Sequence, residues 1–203
     1  QIDAFLQRDE GQDRRRARKM PRNTITLNPA KNNILTDLLD TYNEDSVAAQ
    51  TALPWLNPNE DIRRQLRDML FDIQAQNGTD QLHFWSIHQT ETKKFIGLLG
   101  LGDELQSLHA KYNLGYWVRK GHQKKGIATL CVDAVFNWLK HRGGDVVVEI
   151  AVHPHNEAGL ATASAICNRW NGERLEQFIG IEFNERTVPH HLHLVDIGRG
   201  EAS

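Results

Sequence analysis

Apolar residues recur along the chain with two spacings, one typical of strands and the other typical of helices. A spacing of two, or a short β-branched apolar run, predicts strands at residues 24–27, 82–87, 95–101, 112–118, 146–152, 175–183 and 190–197. A spacing of three or four predicts helices at 34–42, 61–77, 127–142 and 156–170. Strands that alternate with helices require crossover packing, so the order predicts a mixed α/β sheet.

The stretch from Gly115 to Lys140 is the most informative part of this pattern. Its sequence, GYWVRKGHQKKGIATLCVDAVFNWLK, is a strand, a turn rich in Gly and Lys, and an amphipathic helix. The turn holds the pattern Q-x-x-G-x-A between Gln123 and Ala128. A small-residue turn that begins a helix leaves backbone N–H groups unpaired beside the positive end of the helix dipole. The segment therefore predicts an anion site suited to a pyrophosphate, and a cofactor-dependent enzyme.

One acidic residue interrupts the most apolar strand. The run VVVEIAV at residues 146–152 is typical of a central strand covered on both faces, and Glu149 lies in its middle. A carboxylate there is costly unless it is paired or functional, so Glu149 is the first candidate for a base or an amine contact. The alternative is a Glu that faces solvent at the sheet end or pairs with an Arg. His153 and His155 follow, either as bases or as plain turn residues.

Composition narrows the class of protein. A chain of 203 residues, 39% hydrophobic and 25% charged, predicts one soluble globular domain. The net charge of −2 argues against a general nucleic-acid or membrane binder, and the mildly acidic body weakly favours an amine substrate. No apolar run approaches the ~20 residues of a membrane span and no signal-peptide core is found, so a cytoplasmic location is expected.

The first 22 residues differ in charge from the rest. They carry seven Lys or Arg residues against four acids. We expect residues 1–22 to form a charged, Arg-rich extension and residues 23–203 to form the folded domain. A solvated tail or helix is the main interpretation of the extension, and a nucleic-acid contact through residues 8–22 is the alternative.

Two other residue sets bear on possible chemistry. Cys131 and Cys167 fall in predicted helices, so reduced core thiols are expected and a cysteine nucleophile is not. The run around His190, His191 and His193 places two imidazoles on one strand face. No cysteine or acid cluster accompanies them, so a strand surface is predicted rather than a metal site.

With these motifs together, the chain resembles the GNAT superfamily of N-acetyltransferases, and within it the RimJ/RimL branch that acetylates ribosomal-protein N-termini. The resemblance covers about residues 24–197. GYWVRKGHQKKGIATL is similar to the acetyl-CoA motif, and VEIAVHPHNEAG is similar to the branch's strand-turn-helix. LPWL before a long helix is similar to its substrate-side loop. The implied fold is a mixed α/β one, with a mostly antiparallel sheet of six or seven strands splayed at the acetyl-CoA site and flanked by helices.

The resemblance also implies a set of cofactor contacts. The backbone of the strand predicted at residues 112–118 would pair with the pantetheine arm, as an added strand does. The amides of the following loop would hold the pyrophosphate. The residues implied are Tyr116, Trp117, Val118, Gln123, Lys124, Lys125, Gly126, Ile127, Ala128, Thr129 and Asn156. Trp55 is expected either to anchor the core or to form a wall of the acceptor pocket.

The chain departs from the family pattern on the helix after Asn156. Gly159 takes the place of the usual Ser three residues after the Asn. Family members often use a Tyr on this helix to protonate the leaving thiolate, and this helix has none. Ser164 is the candidate donor in its place, with water as the alternative.

The implied activity is acetyl transfer from acetyl-CoA to a primary amine, either a protein N-terminal α-amine or an amino-containing small molecule. Direct attack in a ternary complex is expected, with Glu149, His153 and Ser164 as catalytic candidates and a backbone N–H near Val118 polarising the carbonyl. The alternative function is a non-catalytic acyl-CoA sensor. Either a monomer or a homodimer is expected.

Overall fold

A nine-stranded sheet forms the centre of the structure, a computed structural model that describes residues 2–5 and 24–198. The strands are β1 (Ile2–Phe5), β2 (Thr24–Pro29), β3 (His83–Gln89), β4 (Phe95–Gly102), β5 (Tyr112–Val118), β6 (Val147–Val152), β7 (Glu173–Arg174), β8 (Ile179–Phe183) and β9 (Arg186–Asp196). Their order is β1-β2-β3-β4-β5-β6-β9-β7, with β8 paired to β9. Among the described strands, every pairing is antiparallel except that of β5 with β6.

Helices cover both faces of this sheet. The helices α1 (Leu35–Glu44), α2 (Ser46–Ala52) and α3 (Ile62–Gln76) share one apolar core with part of β4 and β5. The helices α4 (Ile127–Arg142) and α5 (Glu157–Trp170) share a second apolar core with the opposite face of the sheet. The mixed, mostly antiparallel sheet flanked by helices is the predicted fold, with β1 and the two-residue β7 added to the expected strands. Within the described residues, no helix has the length and apolar character needed to cross a membrane.

Two local predictions need correction. No helix is predicted between residues 42 and 61, but residues 46–52 form α2, which begins where the Asp45 side chain accepts the Ala48 N–H at 3.1 Å. The last two predicted strands are instead the short β7 and a β8–β9 hairpin. Asn184 and Glu185 form its turn with φ of 48° and 64°, a conformation that suits a tight hairpin although no Gly is present.

The predicted N-terminal extension needs correction at its first residues. Residues 2–5 form β1, which pairs with β2 so that Ile2 lies opposite Leu27 and Phe5 opposite Thr24. These residues therefore pair with the edge of β2 and extend the sheet, and they do not form part of a solvated tail. Residues 6–23 lie outside the described residues, so the domain boundary after residue 22 stays a prediction.

A glycine on β4 is required by the close approach of β5. A Cβ on Gly97 would lie 2.3 Å from the Trp117 carbonyl oxygen, a backbone atom that cannot move without shifting the strand. Gly97→Ala is therefore expected to lower the free energy of unfolding by about 1–3 kcal/mol, as overpacking does, which urea denaturation would measure. Gly115→Ala is the control, because a Cβ there meets nothing within 4 Å. Equal losses in both variants would contradict this account.

Candidate active site

The central strands β5 and β6 pair only at their first residues. Tyr112 lies opposite Val148 and Asn113 lies opposite Glu149, where the parallel pairing ends. On its other edge β5 remains paired with β4 along its length. The two strands therefore diverge and leave a gap between the rest of β5 and the rest of β6, which we call the β5–β6 gap.

The edge of β5 that faces this gap carries available backbone groups. The Arg119 N–H donates to a β4 carbonyl at 2.7 Å, which assigns Arg119, and by alternation Trp117, to the β4 side. Tyr116 and Val118 consequently turn their backbone groups toward the gap. The Val118 carbonyl accepts a hydrogen bond from the Gln123 side-chain amide at 2.9 Å, which holds the next loop against the strand end. The remaining N–H groups can pair with an extended ligand as another strand would.

The loop after β5 directs backbone N–H groups toward one point. Lys124 and Gly126 have φ of 58° and 72°, and the chain then enters α4. No side chain caps this helix, and the Leu130 N–H is bonded to the Gly126 carbonyl. The amides of residues 127–129 therefore precede the helical ladder and have no partner within the helix. With the positive end of the helix dipole they form a site for an anion.

The two lysines of this loop contribute less than its backbone. Lys124 and Lys125 are exposed, and the Lys125 ammonium donates to the Gly121 carbonyl at 2.7 Å within the loop itself. Burial, and then the charge of Lys125, lower the pKa of His122, so this imidazole is neutral at neutral pH. The anion site therefore depends mainly on N–H groups.

The first turn of α5 lies across the gap. The Asn156 carbonyl oxygen Oδ1 accepts the Gly159 N–H at 2.9 Å and so caps the helix. A Cβ at residue 159 would lie 2.5 Å from the Asn156 side-chain nitrogen, so a larger residue there would require the Asn156 amide to shift. The Tyr116 hydroxyl donates to the Gly159 carbonyl at 2.9 Å, and burial raises the pKa of Tyr116. This bond links β5 to α5.

Glu149 anchors the loop that covers the closed end of the gap. Its side chain is fully buried. One carboxylate oxygen accepts the Gln106 N–H at 2.7 Å and the Asn113 side-chain amide at 2.9 Å, and the other accepts the Ser107 N–H at 2.8 Å. Three charge-assisted hydrogen bonds compensate the burial of this carboxylate. Neither expected alternative, solvent exposure or an Arg pair, describes this environment, and its role as a base stays a prediction.

A cavity of about 910 Å³ opens from the gap toward α3. Leu114 and Gly115 of β5 and Ala151 of β6 form its inner wall, so the cavity reaches the diverging strands. Trp55 also lines the cavity and packs on the α1–α3 core. The sequence-predicted substrate-side residue is thus a lining residue and a core contact at once. Further apolar lining comes from Leu53, Phe84, Leu98, Ile181 and Phe183.

Carboxylates outnumber cations in the described lining of this cavity. The acids are Asp68, Asp72, Asp103 and Glu104. Arg64 is the lining residue with a formal positive charge, and its guanidinium is paired with Glu60 at 2.9 Å. Asp68 has an exposed neighbour in Arg67 at 3.1 Å, a contact that solvent screens. The cavity is therefore suited to a positively charged ligand.

Two histidines that follow β6 and one within β9 form a cluster beside the cavity. The His153 ring lies 5.3 Å from that of His155 and 5.7 Å from that of His190, between centroids. The prediction of a strand surface is wrong for His190 and His193, which are 3% and 2% exposed. The two side chains lie on opposite faces of β9, so both faces of this strand are covered at these positions. No group of three or more metal-binding side chains that could hold an ion occurs among the described residues.

The remaining candidates lie away from the cavity. Ser164 is exposed on α5 and outside the cavity lining, so its role as a proton donor stays a prediction that no contact supports. Cys131 and Cys167 are buried free thiols. Burial raises the pKa of Cys131 to about 12 and also raises the pKa of Cys167. Protonated thiols are poor nucleophiles, which agrees with direct attack on the donor.

Sequence reasoning missed His190 and the acidic wall as parts of the site. One signal was available for the wall, because Asp68 and Asp72 are four residues apart and so share a helix face. No such signal marks His190, whose position depends on how β9 pairs with β6.

Comparisons with solved structures give the same fold. An acetyltransferase from Salmonella typhimurium that modifies the N-terminal serine of a 50S ribosomal subunit protein is 15% identical, with a TM-score of 0.65 over 85% of this chain and 93% of that one. RimJ of Mycobacterium smegmatis in complex with a CoA disulfide is 15% identical, with a TM-score of 0.65 over 86% and 82%. The microcin self-immunity acetyltransferase MccE in complex with acetyl-CoA and AMP is 14% identical, with a TM-score of 0.66 over 85% and 92%.

A family model confirms the assignment by sequence. No curated protein matches the chain. The model of the acetyltransferase (GNAT) domain, however, matches residues 24–166, which include the diverging strands, the anion-binding loop and the first turns of α5. The chain therefore belongs to the GNAT family of acetyltransferases, which use acetyl-CoA as the acetyl donor.

Proposed function

We propose that this protein transfers the acetyl group of acetyl-CoA to a primary amine, either a protein N-terminal α-amine or an amino-containing small molecule. One observation carries the proposal: the β5–β6 gap begins at the anion-binding loop of α4 and ends in the acidic cavity. A CoA thioester along β5 would place its pyrophosphate against the loop of residues 123–129, in which the amides of residues 127–129 have no partner within the helix. Its acetyl group would then lie at the wall formed by Leu114 and Gly115.

The chain supplies alignment and polarisation to this reaction. The N–H groups of Tyr116 and Val118, turned into the gap, would bind the pantetheine amides and the thioester carbonyl. The Asn156 side-chain nitrogen has no acceptor among the described residues and is available to the same arm. Holding donor and amine together can lower the barrier by roughly 7–11 kcal/mol, so an acyl-enzyme is not needed.

The cavity lining favours an amine with an apolar body and positive charge close to it. Trp55 and Phe84 provide flat apolar surface, while the four carboxylates of the lining provide negative potential. Clefts lined by one sign of charge concentrate ligands of the opposite sign. This property fits a peptide N-terminus, a polyamine or an amino sugar, and the acceptor test below separates them.

Removing charge from α3 should weaken acceptor binding selectively. The double variant Asp68→Asn, Asp72→Asn is expected to raise KM for a dicationic acceptor about tenfold, or about 1.4 kcal/mol, while KM for acetyl-CoA is unchanged. Steady-state thiol release at low salt would measure both constants. Glu182→Gln is the control, because this β8 residue is outside the cavity lining. An equal rise in KM for a neutral acceptor would refute the electrostatic explanation.

The proposed function is tested by an acceptor screen. The protein is incubated with acetyl-CoA and peptides with free or blocked N-termini, a polyamine and an amino sugar, and both thiol release and product mass are followed. We expect thiol release to match acetylated product for at least one free amine and for no blocked peptide. Tight binding of acetyl-CoA without turnover on any amine would instead favour the sensor function.

A further inference from the structure

Beside the gap, His190 has the position and the hydrogen bonding of a general base. We infer that its Nε2 atom takes a proton from the acceptor ammonium before the amine attacks the thioester. This inference rests on the proposed acetyl transfer and assigns a step in it to a residue that no sequence motif indicates. Four properties of the structure support it: the register of β9, the tautomer of His190, its protonation state, and the hydrogen bonds already made by the Glu149 carboxylate.

Strand register places His190 on the acceptor side of the sheet. In the antiparallel β6–β9 pair, Ala151 lies opposite Leu192, and Glu149 lies opposite Leu194. Side chains two residues apart on a strand share a face, so His190 lies on the same face as Ala151 and Glu149. Ala151 and His190 both line the cavity. His190 therefore lines the same cavity as Leu114 and Gly115, where the acetyl group would lie.

Hydrogen bonding determines which ring nitrogen can accept a proton. The Nδ1 atom of His190 lies 3.0 Å from the Val188 carbonyl oxygen. Because a carbonyl can only accept, Nδ1 carries the hydrogen and donates it. In the neutral ring the lone pair is then on Nε2, which has no partner among the described residues and is not closed off from the cavity. Because His190 lines the cavity, this free nitrogen is the ring atom available to an acceptor amine there.

The surroundings keep this imidazole neutral. Burial lowers the pKa of His190, and the Val188 hydrogen bond offsets part of that effect. From β6, His153 faces it, and burial followed by the charges of His190 and His155 lowers the pKa of His153 too. From β8 the neighbour is the uncharged Phe183 ring, with centroids 5.8 Å apart. The charged groups across the cavity are Arg64, Asp68, Asp72, Asp103 and Glu104.

Glu149 is less available for the same task. Both of its oxygens accept N–H groups, two of them from the backbone of the covering loop, and its side chain is fully buried. To take a proton it would have to weaken these bonds and leave buried donors unpaired. The neutral Nε2 of His190 has no such bond to lose.

Protons and electrons balance over the reaction. One ammonium proton moves to Nε2 of His190, which becomes an imidazolium. The freed lone pair forms the C–N bond with the thioester carbon while the carbonyl π pair moves to oxygen. Return of that pair breaks the C–S bond, and the thiolate receives the second nitrogen proton through water. The imidazolium then releases its proton to solvent in the cavity.

The pH dependence of kcat/KM for an accepted amine tests this assignment. His190 must be neutral to act, and its pKa is lowered, so wild-type activity should fall only as the pH drops below about 6.5. His190→Asn keeps a side-chain N–H toward the Val188 carbonyl but removes the base. It should lower kcat by about 10²–10⁴-fold and abolish the acid limb due to His190. The Kd of acetyl-CoA should stay within about twofold, since the cofactor contacts lie elsewhere.

His191→Gln is the matched control, because His191 lies on the opposite face of the same strand. It should keep both the wild-type rate and the acid limb. The urea midpoint of each variant separates misfolding from lost chemistry. An unchanged rate and pH profile for His190→Asn with an active wild type would overturn the inference alone. A wild type that acetylates no amine would overturn the proposed function and this assignment together.

Discussion

Gly126→Asp is expected to weaken acetyl-CoA binding by at least about 100-fold, which is about 2.7 kcal/mol. The residue precedes α4 with φ of 72°, beside the amides that would hold the pyrophosphate. A carboxylate there would place negative charge within a few ångströms of the phosphates and would occupy those same N–H groups. Isothermal titration with acetyl-CoA would measure the change.

Two controls separate charge from backbone strain. Gly126→Asn has nearly the same shape without the charge, and Asn tolerates the left-handed conformation, so its Kd should rise far less. Gly143→Asp puts the same residue at the C-terminal end of the same helix, where φ is 78°. It should leave the Kd unchanged. Wild-type affinity in Gly126→Asp would refute the pyrophosphate site.

Glu149→Gln is expected to lower the free energy of unfolding by about 3 kcal/mol, because breaking a buried charge network leaves polar groups unpaired. The new NH₂ group would face an N–H donor from Gln106 or Ser107, or the Asn113 amide. Turnover should fall as well, since the loop that these bonds hold forms part of the cavity wall. Urea denaturation and steady-state kinetics would record the two effects together.

Glu104→Gln is the matched control for that variant. It makes the same Glu-to-Gln change at an exposed lining residue of the loop that Glu149 anchors, and should leave the free energy of unfolding within about 0.5 kcal/mol. If Glu149→Gln lost turnover while keeping its full stability and its affinity for acetyl-CoA, the anchoring role would be wrong. Glu149 would then be the base, and the assignment of His190 would fail with it.

The parts of the fold that the sequence predicted are those with a strong local pattern. The apolar spacing of α3 and α4 and the β-branched run of β6 each contain enough repeats to identify the element. The Q-x-x-G-x-A turn predicted the uncapped start of α4 for the same reason, since its geometry is produced by neighbouring residues. The helix α2 was missed because seven residues of Ser, Ala, Thr, Val and Gln show little periodicity.

The parts of the site that the sequence could not predict depend on distant contacts. Glu149 was singled out correctly as an unusual buried carboxylate, but its partner Ser107 is 42 positions away. Alternation predicts which residues of β9 share a face, yet it does not predict which faces are covered. For this reason His190 and His193 were assigned to a surface, although α5 and the cavity wall enclose them.

Hydrogen exchange with and without acetyl-CoA tests most directly whether the donor lies in the β5–β6 gap. We expect the cofactor to slow exchange in peptides that cover residues 114–118 and 123–129, because the amides of residues 116 and 118 face the gap and those of residues 127–129 precede the α4 ladder. Peptides from β2 and β3, on the far side of β4, should exchange as before. Slower exchange confined to other elements, with residues 114–118 and 123–129 unchanged despite saturating acetyl-CoA, would contradict the site described above.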